Sequence, residues 1–180
     1  MSSTPKSSNK NPDGAGSPAR HPFDPLIDEN SKILILGSFP SLKSFENDFY
    51  YAHPRNQFWP ILGEIFQRPV ATEAERIALL KEVGIALWDV VASCERTNSA
   101  DSNLKACVPN DIPALLARYP GIRALFFTGR KAEALFKRYF PHITLPQILL
   151  PSPSPAYAAM PYEKKVVKWR DLFQEAGLID

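Results

Sequence analysis

The sequence predicts an α/β fold: a three-layer α/β/α sandwich around a central, mainly parallel sheet of about four strands. Three observations predict it. Four short runs are apolar without alternation, as strands covered on both faces are. Helical stretches lie between those runs. The chain has 180 residues, 44% of them hydrophobic, which suits one domain with a real core.

Residues 1–20, "MSSTPKSSNKNPDGAGSPAR", are rich in Ser, Pro, Asn and Gly and nearly lack large apolar side chains. They cannot offset their ordering entropy by burial, which predicts a disordered tail ahead of a single domain at 21–180. The first strand is "KILILG" (32–37), which ends in glycine. "PRNQFWPILGEIFQ" reads as a helix with Pro54 in its first turn. "TEAERIALLKEV" opens on a capping box, Thr72 with Glu75. "IALWDVV" (85–91) is the second strand. "NDIPALLARY" is a helix capped by Asn110. "IRALFFTG" (122–129) is the third strand, and "RKAEALFKRYF" is the helix after it. "ITLPQILLP" (143–151) is the fourth, interrupted by Pro146. "PYEKKVVKWRDLFQEAG" is the closing helix.

The formal net charge of +2 and a pI of about 8.5 permit nucleic-acid binding without selecting it. Two cysteines, Cys94 and Cys107, make neither a disulfide framework nor a four-thiolate cluster. They read as small buried residues of a reducing compartment. No apolar run is long enough to span a bilayer, and the N-terminus has no apolar signal core. The expectation is a cytoplasmic monomer with no membrane contact and no metal.

In parallel α/β sheets ligands bind beyond the carboxyl ends of the strands. That rule directs attention to three loops. In "GSFPSLKS" (37–44), Gly37 permits a sharp turn, and small residues let backbone N–H groups approach a ligand. The spacing of a phosphate-binding P-loop is absent. In the second, Asp89 is a carboxylate inside an apolar strand, costly unless partnered. It either serves a neighbouring loop or Arg96, or is an acceptor at the floor of a pocket. The stretch 93–103 is then a pocket wall or a solvated loop. In the third, "LPSPSPAYAAMPY" (150–162), prolines stiffen the chain. Ser152 and Ser154 offer hydroxyls for phosphate oxygens, and Tyr157 is a candidate wedge. Lys164, Lys165, Lys168 and Arg170 downstream read as a solvated helix face or as phosphate contacts.

"FYYAHPRNQFW" (49–59) is five-elevenths aromatic, interleaved with His53, Arg55 and Asn56. With it the motifs fall into order: "GSFPSLKS", "YAHPRNQFW", "GIALWDVV", "LPSPSPA". This constellation resembles the uracil-DNA glycosylase superfamily, closest to its hypoxanthine-DNA (deoxyinosine) glycosylase branch, from about residue 31 to the C-terminus. The resemblance implies base excision without a cofactor on double- or single-stranded DNA containing a deaminated base. The polar residue that other branches carry in the first motif is Phe39 here, so the resemblance places catalysis on Asn56. It places the base among Gly37, Ser38, Phe39, Pro40, Tyr51 and Asp89. It places DNA on Ser41, Ser44, His53, Arg55, Ser152, Ser154, Pro155 and Tyr157.

Hypoxanthine and uracil both present a carbonyl acceptor beside a ring N–H donor. Backbone N–H groups near Ser38 and Phe39 would read the first, and Asp89 the second. Tyr51 would stack on the flipped base. Rival expectations are a uracil-preferring or broad glycosylase, a non-catalytic DNA-binding module, and a small-molecule α/β hydrolase. Against the last, no G-x-S-x-G elbow is present.

Overall fold

The computed structural model describes residues 19–20, 24–39, 49–96 and 104–180. The strands are β1 (Ala19–Arg20), β2 (Ile33–Gly37), β3 (Ile85–Asp89), β4 (Val91–Arg96), β5 (Leu104–Pro109), β6 (Ala124–Phe127) and β7 (Gln147–Leu149). The helices are α1 (Phe58–Phe66), α2 (Glu73–Val83), α3 (Ile112–Arg118), α4 (Arg130–Tyr139) and α5 (Tyr162–Glu175). β3, β2, β6 and β7 pair in that order into one all-parallel sheet.

Side chains alternate across a strand, so one apolar run serves two cores. Ile33, Ile35, Leu87 and Phe126 pack with α1, α2 and α5 through Phe58, Trp59, Leu80, Trp169 and Phe173. Leu34, Leu36, Ala86 and Phe127 pack with α3 and α4 through Ile112, Leu115, Leu135 and Phe136. The three layers follow from this division.

The boundaries differ from expectation in instructive ways. α1 begins at Phe58, not at Pro54. Pro60 decides this: as the third helical residue its missing N–H is one no helix could have used, whereas a start at Pro54 would put it inside the ladder. Asn56 therefore lies ahead of α1 rather than in its first turn. The cap of α3 is Asp111, whose carboxylate accepts from Ala114 N–H, not Asn110. Asn110 instead sends its side-chain N–H to the Asp89 carbonyl at 2.8 Å. The capping box of α2 is present as expected. The fourth strand starts only after Pro146.

The run "IALWDVV" is two strands, not one. It leaves the parallel sheet at Val90, and β4 and β5 form a second, antiparallel sheet with β1. The stretch expected as wall or loop is thus a strand as far as Arg96, and residues 97–103 lie outside those described. Cys94 and Cys107 are not free buried thiols: they form a disulfide across β4 and β5. Ala19 and Arg20, expected in the unstructured tail, pair with Cys94 and Ser93; residues 1–18 lie outside those described.

Candidate active site at the carboxyl ends of the parallel strands

β2 is the first strand of the parallel sheet, and later strands add on both sides of it. The chain order reverses between β2 and β6, and crevices form at such points. The residues at that place are Gly37 on β2 and Thr128 just after β6. Thr128 N–H donates to the Leu36 carbonyl at 3.1 Å, which fixes it beside the β2 end.

Gly37 pairs in register with Asp89 at the end of β3. Asp89 is only 4% exposed. A methyl group on Gly37 would overlap Asp89 Oδ1 and stand 3.2 Å from the Tyr51 hydroxyl. Glycine is required here for close approach, not for its backbone freedom. The sharp departure of the chain past Asp89 is held by Val90 N–H on the Gly37 carbonyl (2.8 Å) and Val91 N–H on the Ser38 carbonyl (3.1 Å). Phe39 is buried in the core beneath the loop, with Leu36 and Val90.

Tyr51 takes a positive φ of 51°, strained for a bulky side chain. Its ring stacks on Phe58, centroids 3.9 Å apart and 9° from parallel. Its hydroxyl meets Thr128 Oγ1 at 3.1 Å. Burial, and then the charge of Asp89, push its pKa well above the usual phenol range, so it stays protonated. The Tyr50 phenol is raised by the same two causes, and it donates to the Asp24 carbonyl at 2.9 Å.

Asn56 Oδ1 accepts from Phe58 N–H at 2.9 Å, and so satisfies the first free donor of α1. Its amide N–H groups and a second oxygen lone pair remain for other partners. The turn before it is closed by Asn56 N–H on the His53 carbonyl (2.9 Å) and Arg55 N–H on His53 Nδ1 (3.0 Å). His53 and Arg55 are exposed. Gln57 N–H donates to the Pro153 carbonyl at 2.9 Å, which ties this turn to the loop after β7.

In that loop Ser154 N–H donates to Ser152 Oγ (3.2 Å), and Ala156 N–H to Ser154 Oγ (3.2 Å). A serine that accepts keeps its own hydroxyl proton to donate. Pro155 and Tyr157 are exposed. Lys165 does not belong to a solvated face: it is buried, and Lys164, Lys168 and Arg170 are exposed.

The site thus gathers Gly37, Tyr51 and Asp89 with Thr128, and Asn56 beside the Ser152–Tyr157 loop. Pro40, Ser41 and Ser44 lie outside the described residues. Thr128 and Gln57 join the candidate site through these contacts, and the three loops singled out from the sequence did not include them. The rule that singled out the other loops applies equally to "FFTG" (126–129), where the strand ends in the same way.

The family model "Uracil DNA glycosylase superfamily" matches residues 25–176. The chain belongs to the uracil DNA glycosylase superfamily. Two relatives named hypoxanthine DNA glycosylase align over 112 residues, 61% of this chain and 71% of theirs. The one from Methanosarcina barkeri is 37% identical and the one from Methanosarcina acetivorans 38%. A solution NMR structure from Methanosarcina acetivorans, described as a candidate uracil DNA glycosylase, superposes with a TM-score of 0.73 at 32% identity. The match covers 86% of this chain and 96% of that one. The fold that this chain shares with that structure is the parallel α/β/α arrangement expected from the sequence. Among the described residues no helix is long and apolar enough to cross a membrane.

Proposed function

We propose that this member of the superfamily excises hypoxanthine from DNA by hydrolysing the N-glycosidic bond, leaving an abasic site. The observation that carries the reading is the buried Asp89 carboxylate set against Gly37 beside Tyr51 at the strand ends. A base turned out of the stack would meet an acceptor for its ring N–H there. Adenine would present an unprotonated nitrogen to the same carboxylate, a mismatch that costs free energy. Guanine shares the acceptor–donor edge, so its amino group must meet a wall.

Bond cleavage leaves positive charge on the sugar and negative charge on the departing base. Backbone donors near Ser38 and Phe39 stabilise the leaving base, as an oxyanion hole does. Asn56 orients the water that captures the sugar cation, and the proton that this water gives up neutralises the departed base. A cationic centre needs an oriented water more than a strong nucleophile, so an amide suffices. No lysine takes part as a Schiff-base nucleophile, and the strand stays intact. Tyr51 contributes a ring already stacked on Phe58; base stacking on an aromatic is worth roughly 1–3 kcal/mol. His53, Arg55, Ser152, Ser154 and Pro155 are the proposed DNA contacts, Ser41 and Ser44 are given the same role from the sequence alone, and Tyr157 fills the gap left by the flipped base. The enzyme acts as a monomer.

A second reading, a uracil-preferring enzyme, is favoured by the description of the NMR relative. Excision from duplexes and single strands carrying one inosine, uracil or xanthine separates the two. The proposal predicts inosine first; faster excision of uracil would give the second reading precedence.

A further inference from the structure

Lysine is seldom fully buried, and an ammonium enclosed by neutral groups is costly. Lys165 is 1% exposed. It stands at the start of α5, the helix end whose free N–H groups disfavour a cation. Among the described residues no carboxylate pairs with it, and burial lowers its pKa. Its three protons have three destinations. Gln57 Oε1 accepts at 2.7 Å and the Ser154 carbonyl at 3.4 Å, and the Tyr157 ring lies 5.3 Å from the ammonium.

An apolar side chain of similar length would serve the packing as well or better. The charge therefore has a use other than fold stability. Its three partners all belong to segments that carry the site. Gln57 directly follows Asn56 and donates its backbone N–H to Pro153. Ser154 and Tyr157 sit in the loop assigned to DNA. We infer that Lys165 is a positioning residue: its ammonium clips Gln57, Ser154 and Tyr157 to α5, and so fixes Asn56 relative to the DNA-binding loop. The inference rests on the glycosylase reading above. The enclosed ammonium touches no phosphate, so it contributes nothing to the salt dependence of DNA binding.

The test uses the full chain, enzyme in excess, an inosine duplex, and the variants Lys165→Met, Gln57→Ala and their combination. Each single variant is expected to slow single-turnover excision by about 10-fold, the scale of a sub-ångström displacement of a catalytic group. The double variant should be no slower than the worse single one, because both break one linkage. The salt slope of duplex binding should match wild type. Hydrogen exchange should accelerate at Gln57 and Tyr157 N–H in Lys165→Met while β2 amides keep their protection. Wild-type excision by both single variants overturns the inference, as do additive effects or unchanged exchange at those two amides. A salt slope reduced by about 0.9, one phosphate contact, also overturns it and makes Lys165 a DNA ligand. If the wild-type protein excises neither inosine nor uracil, the glycosylase reading fails, while the exchange measurement still decides the clip.

Discussion

Replacing Asn56 separates two roles of one side chain, a cap that the structure shows and a water-orienting role that we propose. Its oxygen holds Phe58 N–H at 2.9 Å, and its amide is assigned the attacking water. Asn56→Ala removes both. Loss of the first costs about 1 kcal/mol, the usual net worth of such a hydrogen bond. A domain stable by roughly 5–15 kcal/mol remains folded after that loss. Loss of the second is expected to slow excision by about 10²-fold, the scale of a positioned catalytic group, or about 2.7 kcal/mol of barrier. Unfolding cannot account for a rate loss of that size when enzyme is in excess. Asn56→Asp sharpens the separation: the carboxylate still accepts from Phe58 N–H but has no N–H to donate. It should melt close to wild type and still excise slowly. The assay is single-turnover excision from an inosine duplex beside a thermal melt. Near-normal excision by folded Asn56→Ala would refute the reasoning and return the water to Asp89 or His53.

Other substitutions probe the remaining parts. Asp89→Asn keeps the shape but replaces an obligate acceptor with a mixed group. Hypoxanthine excision should fall by about 10-fold or more, as loss of a charged hydrogen bond of roughly 1.5–3 kcal/mol implies, and discrimination against adenine should weaken. Unchanged rates for both bases would make Asp89 structural. Gly37→Ala forces a methyl against Asp89 and the Tyr51 hydroxyl, so excision should drop by about 10-fold or more with duplex affinity retained; full activity would show that the pocket tolerates displacement there. Tyr157→Ala should weaken lesion-duplex binding by about 10-fold, the scale of one lost stack, and leave undamaged-duplex binding alone. Equal weakening for both duplexes would move the wedge to another residue of the loop, such as Met160.

Much of this was legible in the sequence because its signals are local. The apolar runs of β2, β3 and β6 and the Thr72–Glu75 box are readable one segment at a time, and each is observed. Pro60 was a readable signal that the helix starts at Phe58, but Pro54 competed with it. What was not legible depends on partners distant in the chain. The hairpin β4–β5 mixes Ser, Glu, Arg and Lys with its apolar residues, so its composition resembles a loop even though Val91 and Cys94 are buried in the core. The disulfide needs Cys94 and Cys107 brought opposite each other by that hairpin. Lys165 looks like its solvated neighbours Lys164 and Lys168 until α5 docks on the turn carrying Gln57. Tyr51 was readable as an aromatic of the site, but its stack on Phe58 and its contact with Thr128 were not.

The most direct test of the central claim follows both products of a single turnover on an inosine-containing duplex. The account predicts free hypoxanthine released in step with abasic sites, the strand breaking only when alkali is added. No release of free base, or strand cleavage at the lesion without alkali, would contradict it.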